Sequence, residues 1–413
     1  MINNSPSAET DTKTALPLTG VRVLDLSHII AGPMCCVVLA DFGADVIKIE
    51  PPIRGDRGRA VGPYVSVGQE QVSSYFATMN RNRRGVVLDL KSSEGKKTLK
   101  QLVLTADILV ENFSPGTMDK LGLGWETLKS LNPKLIYAAI SGFGQLKPFI
   151  GPWSNRPANN ATAQGMSGLM ELSGDADGPP AFVGAAVGDT VPGLWAVIGI
   201  MMALEQRKHT QQGQFVDVAM YDSMAAMCFN AVANFNATGT SQSRGAASWE
   251  ETLTGRFKCS DGYVAVSLWG TVPERWVKLW ALIGREDMIQ HPKFDSGHPG
   301  RPENAQIARP VIDKWLAITT RKDAVELLLD LGFSAGPVQT IAEVSNCEQL
   351  KAREAFFEIE DGLGGHIRTL GVPLKFSGMS LGRPSRAPRL GEHTDEILRE
   401  ISKLSTTGSS PNQ

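Results

Sequence analysis

The chain has 413 residues, 42% of them hydrophobic and 20% charged, and a formal net charge of −2. Such a make-up fits a globular protein large enough for two domains, and a near-neutral balance supplies no basic field to attract nucleic acid. Five cysteines without a paired spacing and six scattered histidines predict reduced thiols and no metal site.

From the start, "GVRVLDL" (20–26) alternates like a strand, "MCCVVLADFGA" (34–44) reads as a helix with a glycine stop, and "DVIKIE" (45–50) is the next strand. The rhythm continues with strand "GVVLDL" (85–90), helix "SEGKKTLKQLVLTA" (93–106), and strands "DILVEN" (107–112) and "KLIYAAISGFG" (134–144). Strands alternating with helices predict an α/β fold with a parallel sheet covered on both faces. Ligands of such sheets lie beyond the carboxyl ends of the strands. The segments "SHIIAGP", "EPPIRGDRGR", "KSSEG", "NFSPG" and "GFGQ" follow those ends.

An apolar helix is expected over about 192–204, shorter than the ~20 residues a membrane span needs. With no basic segment before an apolar core near the start, neither a signal peptide nor a membrane partner is expected, which predicts a cytoplasmic protein. The texture changes near residue 240, where "TGTSQSRGAASWEE" reads as a linker. Beyond it, "GRFKCSDGYVAVSLWG" (255–270) predicts a hairpin about a "DG" turn, and "PERWVKLWALIG" and "DAVELLLDLG" predict amphipathic helices. Residues 245–345 are therefore expected to form a smaller α+β domain. Strand character returns over 365–376, and "APRLGEHTDEILREI" ends in a helix. The polar segments 1–17 and 404–413 are expected to be flexible tails.

Three common devices are missing: a "GxxxxGK[ST]" phosphate loop, a "GxGxxG" run after the first strand and a "GxSxG" nucleophile elbow. One residue instead draws the eye. In "AFVGAAVGDTVPGLWAVIGIMMAL" (181–204), Asp189 is the single carboxylate in a small, apolar stretch. It fits a helix N-cap. A carboxylate near a helix N-terminus is also kept ionised by the dipole and free N–H groups, and the glycines and alanines around it leave room for a close approach.

Several long motifs occur in order: "GVRVLDLSHIIAGPMCCVVLADFGADVIKIEPP", "NRNRRGVVLDLKSSEGK", "ADILVENFSPGTMDKLGLGWETLKSLNPKLIYAAISGFGQ", "VGDTVPGLWAVIGIMMALEQRKHTQQGQFVDVAMYDS" and "LGEHTDEIL". Together, over about residues 18–400, they resemble the family III CoA-transferases, the formyl-CoA transferase and carnitine CoA-transferase group. The resemblance implies a Rossmann-like large domain, here 18–240 with 346–403, and two subunits interlocked like links of a chain. It implies an acyl-CoA thioester and a free carboxylic acid as substrates, with no permanently bound cofactor. Asp189 matches the family's catalytic aspartate. That role implies an aspartyl anhydride and then an aspartyl-CoA thioester as intermediates. The acid is expected to be small and dicarboxylic, such as succinate.

By the same matching, Ile29, Ile30 and Ala31 fall beside the pantetheine arm of coenzyme A, and Leu88 and Lys91 near its adenosine end. Asn112, Phe113 and Ser114 fall on the arm, and Lys120 stands where formyl-CoA transferases have an arginine. Ser141 and Gly142 are also expected to contact coenzyme A, and the glycines of "ISGFGQ" are candidate oxyanion donors. Leu88 fits a core residue equally well, and Lys91 a surface charge. Arg81, Arg83 and Arg84 are either a solvated basic turn or phosphate contacts, and Arg156 or Arg244 could pair with a distal carboxylate. Pro51 and Ser141 replace a CoA-contacting arginine and a lysine of formyl-CoA transferase, which argues against formate and oxalate.

The same superfamily holds α-methylacyl-CoA racemases, which use a histidine and an aspartate as an acid–base pair. Asn159 falls about where that histidine would be, and an amide is no base. A racemase-like enzyme and an inactive CoA-binding partner subunit are the alternative readings.

Overall fold

The computed structural model describes residues 16–67, 70–175, 177–242, 244, 253–268, 273–289, 291–292 and 302–407. Thirteen strands are named here in chain order: β1 (Arg22–Asp25), β2 (Asp45–Glu50), β3 (Tyr64–Val67), β4 (Glu70–Ser73), β5 (Arg83–Val87), β6 (Ile108–Glu111), β7 (Ile136–Ser141), β8 (Phe215–Ala219), β9 (Thr254–Cys259), β10 (Gly262–Ser267), β11 (Ser334–Pro337), β12 (Phe356–Glu360) and β13 (His366–Leu370). The chain falls into two compact units, Met1–Ser167 with Gly184–Met227 and Ala352–Gln413, and Gly168–Val183 with Cys228–Lys351. The boundary expected near 240–245 lies inside the second unit, which also takes in 168–183.

The first unit is built on a parallel six-stranded sheet of order β5-β2-β1-β6-β7-β8. Its central strands "RVLD", "ILVE" and "IYAAIS" are buried on both faces and mostly apolar, as expected where helices cover both sides of a parallel sheet. Leu24, Ile47, Val86, Leu109 and Tyr137 join helix residues Leu99, Leu102, Ile397 and Ile401 in one core. Burying such side chains contributes about 1.5–3 kcal/mol each. The chain builds β1, β2 and β5 in one direction and then returns to build β6, β7 and β8 in the other. The crevice between the carboxyl ends of β1 and β6 is thus the topological switch point.

The edge strand β5 is sealed by the C-terminal segment. His393 Nδ1 accepts from Gly85 N–H at 3.0 Å, Thr394 Oγ1 accepts from Val87 N–H at 3.2 Å, and Gly85 C=O accepts from His393 N–H at 2.9 Å. Antiparallel hairpins β3–β4 and β12–β13 pack together through Ala77, Val65, Val72, Ile359 and Ile367.

The second unit holds the antiparallel sheet β11-β10-β9. Helices Pro273–Leu282, Pro302–Ala317 and Arg321–Asp330 supply Trp276, Trp280, Ile312 and Leu328 to its core.

Several expectations shift. The first helix is Ala31–Asp41 and begins earlier than expected, while β5 ends at Val87 so that 88–90 lie outside it. The long apolar helix runs Val187–Thr210, well beyond the expected 192–204, and by length and composition it could cross a membrane. Here it packs against the helix Ala31–Asp41 and against β7 and β8, burying Pro192, Gly193, Ala196, Ile200 and Ala203. Residues 404–407, expected in a tail, belong to the helix Thr394–Thr407. Most of the expected linker, 238–251, lies outside the described residues.

Candidate active site

Two loops meet at the switch point. Asn112, just beyond β6, accepts from His28 N–H at 2.8 Å and donates to His28 C=O at 2.9 Å, which ties it to the loop after β1. The Phe113 ring lies 5.5 Å from the His28 ring. In the next residue, Ile29, the backbone adopts φ 67°, a left-handed conformation that a β-branched side chain resists. Two side chains hold it there: Asp56 Oδ1 accepts from Ile29 N–H at 3.1 Å, and Tyr75 Oη donates to Ile29 C=O at 2.9 Å.

Beneath the loop lies a buried ionic floor. Asp25 on β1 and Lys48 on β2 are register neighbours, and both are fully buried. Lys48 Nζ lies 3.5 Å from Asp25 and 2.9 Å from Asp56, and donates to the Ser27 carbonyl. Arg83 on β5 pairs with Asp25 and donates to the carbonyls of Pro33 and Met79. Burial alone would push the Asp25 carboxyl up, but Lys48, Arg83 and Ser27 outweigh it and hold it low. The Asp56 carboxyl is likewise held well below its usual range by His28, Lys48 and Gly58 N–H, against the cost of burial.

Asp189 lies in the first turn of the helix Val187–Thr210, which packs against the helix Ala31–Asp41. Four residues on and on the same helical face, Gly193 abuts the Ala31 carbonyl, where a Cβ would come within 2.6 Å. The Tyr75 phenol is raised by burial and then by the charges of Asp189 and Asp56. Asp189 is not the helix cap. That position is Ala186, and Asp189 sits in the first turn without a capping bond. Nor are the neighbouring N–H groups free: Gly188 N–H donates to Asn160 Oδ1 at 2.9 Å, and the N–H groups of Val187, Asp189 and Thr190 bond to backbone carbonyls. Gly188 itself is held against Asn160, where a Cβ would meet the carbonyl at 2.7 Å. Burial therefore dominates, and the Asp189 carboxyl is pushed up to about 6.

The other expected residues divide clearly. Ile29, Ile30, Ala31, Asn112, Phe113 and Ser114 come together where β1 and β6 end, with Ser141 and Gly142 at the end of the adjacent β7. Leu88 packs in the sheet core, whereas Lys91 and Lys120 are exposed. Ser141 Oγ accepts from Gly144 N–H at 3.1 Å, and Gln145 N–H donates to Asp217, so these groups of the glycine loop are engaged within the fold. The basic run is neither solvated nor available to phosphate. Arg81 pairs with Asp41, Arg83 with Asp25, and Arg84 with Asp45, Glu396 and Glu400. Arg156 lies over the Trp153 ring and Arg244 pairs with Glu171. Asn159 caps the helix Asn160–Met166 by accepting from Thr162 N–H at 3.0 Å.

Sequence reading missed Lys48, Asp56, Tyr75 and Glu111. Glu111 closes β6 in a buried place, accepting from Phe113 N–H at 2.7 Å and Gln145 Nε2 at 3.0 Å. Burial pushes its carboxyl up to about 7, only partly offset by these donors and Tyr137. A folded-state value raised above the unfolded one stabilises most below about pH 4.5, and that contribution is lost as pH rises through about 7. The loss amounts to roughly 3 kcal/mol. Glu111→Gln should therefore melt above the wild type at pH 8 and lose that advantage near pH 4.5. An equal difference at both pH values, in thermal melts, would contradict the assignment.

Open α/β sheets of this topology bind their ligands in the crevice at the switch point. The family description "CoA-transferase family III" matches residues 18–394. A succinyl-CoA:mesaconate CoA-transferase of Haloarcula marismortui is 37% identical over 93% of this chain and 96% of its own length. The beta subunit of the succinyl-CoA–L-malate CoA-transferase of Chloroflexus aurantiacus is 32% identical over 94% and 95%. Among solved structures, a CAIB/BAIF family protein from Brucella suis superimposes with a TM-score of 0.82 at 34% identity, covering 94% of this chain and 100% of that one. The chain belongs to CoA-transferase family III, and it is a CoA-transferase.

Proposed function

We propose that this enzyme moves CoA from an acyl-CoA to a small dicarboxylic acid through covalent intermediates on Asp189. The observation that supports the reading is the burial of Asp189: a poorly hydrated carboxylate, pushed up to about 6, in the first turn of the helix whose Gly193 abuts the Ala31 carbonyl. An ionised carboxylate stripped of water is an effective nucleophile. Asp189 attacks the thioester carbon, the C–S bond breaks, and CoA thiolate leaves behind a mixed anhydride. The thiolate then attacks the Asp189 carbonyl of that anhydride and expels the donor acid as its carboxylate. The acceptor carboxylate attacks the resulting aspartyl thioester and releases the thiolate again. Finally the thiolate takes the acceptor acyl group, and Asp189 is restored as a carboxylate. Each bond broken is matched by one formed and no net proton moves, so no nucleotide is consumed.

Ile29, Ile30 and Ala31, with Asn112, Phe113 and Ser114, are assigned to the pantetheine arm in this reading. Leu88 and Lys91 are assigned to the adenosine end, Leu88 through its backbone because its side chain is in the core, and Lys120 is assigned to coenzyme A as an exposed cation. Ser141 and Gly142 are assigned to the thioester end. The dicarboxylic acceptor rests on relatives named for mesaconate, L-malate and D-citramalate.

An interlocked homodimer completes the proposal. The helix Val187–Thr210 exposes Leu194, Trp195, Ile198, Met201 and Met202 along its outer face, and apolar patches of this kind mark protein interfaces. A cytoplasmic location fits the five unpaired cysteines.

The test is incubation with an α-branched acyl-CoA in deuterated water, without acceptor acid, followed by a panel of donors and free acids read by mass spectrometry. The expected result is a hydroxylamine-sensitive mass gain on the Asp189 peptide, no α-deuterium, and CoA transfer to dicarboxylic acids. Rapid α-deuterium exchange with neither adduct nor transfer would instead establish racemase chemistry, which Asn159, committed to capping a helix, is unfit to perform.

A further inference from the structure

We propose that Asp56 is a positioning residue for the CoA thioester, its buried carboxylate fixing Ile29 in the left-handed conformation that presents the 28–31 loop to the substrate. The inference rests on the reading that this loop meets the CoA arm. Ile29 is a β-branched residue at φ 67°, and such outliers persist only where the surroundings over-determine them. Here the determinants are visible. Asp56 is 1% exposed and its Oδ1 takes both Ile29 N–H at 3.1 Å and Gly58 N–H at 2.8 Å. The carboxylate is itself anchored: Lys48 Nζ lies 2.9 Å from its other oxygen, and His28 Nδ1 lies 3.5 Å from Oδ1. Glu50, at the end of β2, accepts from Asp56 N–H at 2.8 Å and fixes the backbone that carries it. Through Lys48 the anchor reaches Asp25 and Arg83, so the loop is referenced to three strands of the sheet, β1, β2 and β5.

Without the Asp56 acceptor, of the two side chains only the Tyr75 hydroxyl still holds Ile29, by one bond to its carbonyl, and the backbone should relax toward the extended form, because the left-handed region is disfavoured for an L-residue by about tenfold. Glycine carries no such bias. The strain and the clamp are therefore coupled, and a double-mutant cycle measures the coupling. Four proteins, all carrying Asp189→Asn so that acyl-CoA binds without forming the covalent adduct, would be compared by calorimetric titration with acyl-CoA: the otherwise unaltered chain, Asp56→Ala, Ile29→Gly and the pair. Asp56→Ala is expected to weaken binding about tenfold in the Ile29 background. In the Ile29→Gly background the same change should cost less than about threefold, because glycine needs no clamp. Equal losses in both backgrounds would overturn the proposal.

If Asp56→Ala does not fold, Asp56→Asn serves. It keeps an oxygen for Ile29 N–H but loses the charge opposite Lys48. Its melting temperature should fall while acyl-CoA affinity stays within about threefold of wild type. A folded Asp56→Asn that loses tenfold or more in affinity would also overturn the idea. Binding is read without turnover, so failure of Asp189 as nucleophile would leave these outcomes intact. Failure of all four proteins to bind acyl-CoA would instead remove the reading on which the inference rests, and the inference with it.

Discussion

Asp189→Asn is expected to yield a folded protein that transfers CoA at least about a thousandfold more slowly, the scale on which removal of a catalytic nucleophile is felt. The substitution preserves size and removes the attacking charge. Because Asp189 makes no capping bond, little local structure is lost with it. Its carboxyl is pushed up to about 6 by burial, so ionisation in the folded state is unfavourable. A group raised in this way stabilises most below its unfolded value near 3.8 and loses that contribution as pH rises through about 6. The neutral variant should therefore melt no lower than the wild type at pH 8. In the wild type, kcat/KM should fall about tenfold per pH unit below about 6, as the nucleophile is protonated. Near-normal transfer by a variant verified by mass as undeamidated would remove Asp189 from the mechanism. A large drop in melting temperature would restore a structural role to it.

Lys48→Met should destabilise the large unit by about 3–5 kcal/mol, the range seen when one partner of a buried ion pair is removed. Lys48 is fully buried between Asp25 and Asp56, and its removal leaves Asp56 without its cation. Asp25 keeps Arg83. The stranded charge is the main cost, so Lys48→Met combined with Asp56→Asn should recover part of the loss. Urea denaturation of the three proteins would measure it. A single variant within about 1 kcal/mol of wild type would mean that water or rearrangement compensates the pair.

These results also show where sequence reading succeeds. The parallel sheet was legible because β1, β2, β6 and β7 are short apolar runs separated by helical patterns, and burial on both faces leaves such runs little else to be. β8 was not, because "FVDVA" carries a charge, Asp217, whose partners are the N–H groups of Gln145 and Leu146 some seventy residues earlier. The hairpin β3–β4 is polar and short, and hides for the same reason. Asp189 stood out because it is a lone charge in an apolar stretch, and the resemblance supplied a role. Lys48 sits in an equally apolar strand, yet its partners Asp25 and Asp56 lie elsewhere in the chain and only the fold brings them together. Arg81, Arg83 and Arg84 looked like a basic patch because charge is visible in a sequence and its neutralisation is not. Their carboxylate partners are Asp41, Asp25 and Asp45 upstream and Glu396 and Glu400 far downstream.

The seal on β5 by His393 and Thr394 sets an order of events during synthesis. The sheet strands are complete once residue 219 has been made, but the outer edge of β5 then carries open N–H and C=O groups. The stretch Cys228–Lys351, which forms most of the other unit, must be translated before the sealing residues emerge. At about 5–20 residues per second this leaves the nascent sheet with a bare, pairing-competent flank for roughly ten to thirty seconds. During that interval another chain's strand is a competitor for the place of residues 393–394. A ribosome stalled after the sheet strands have emerged and before residues 393–394 are made would hold this edge open.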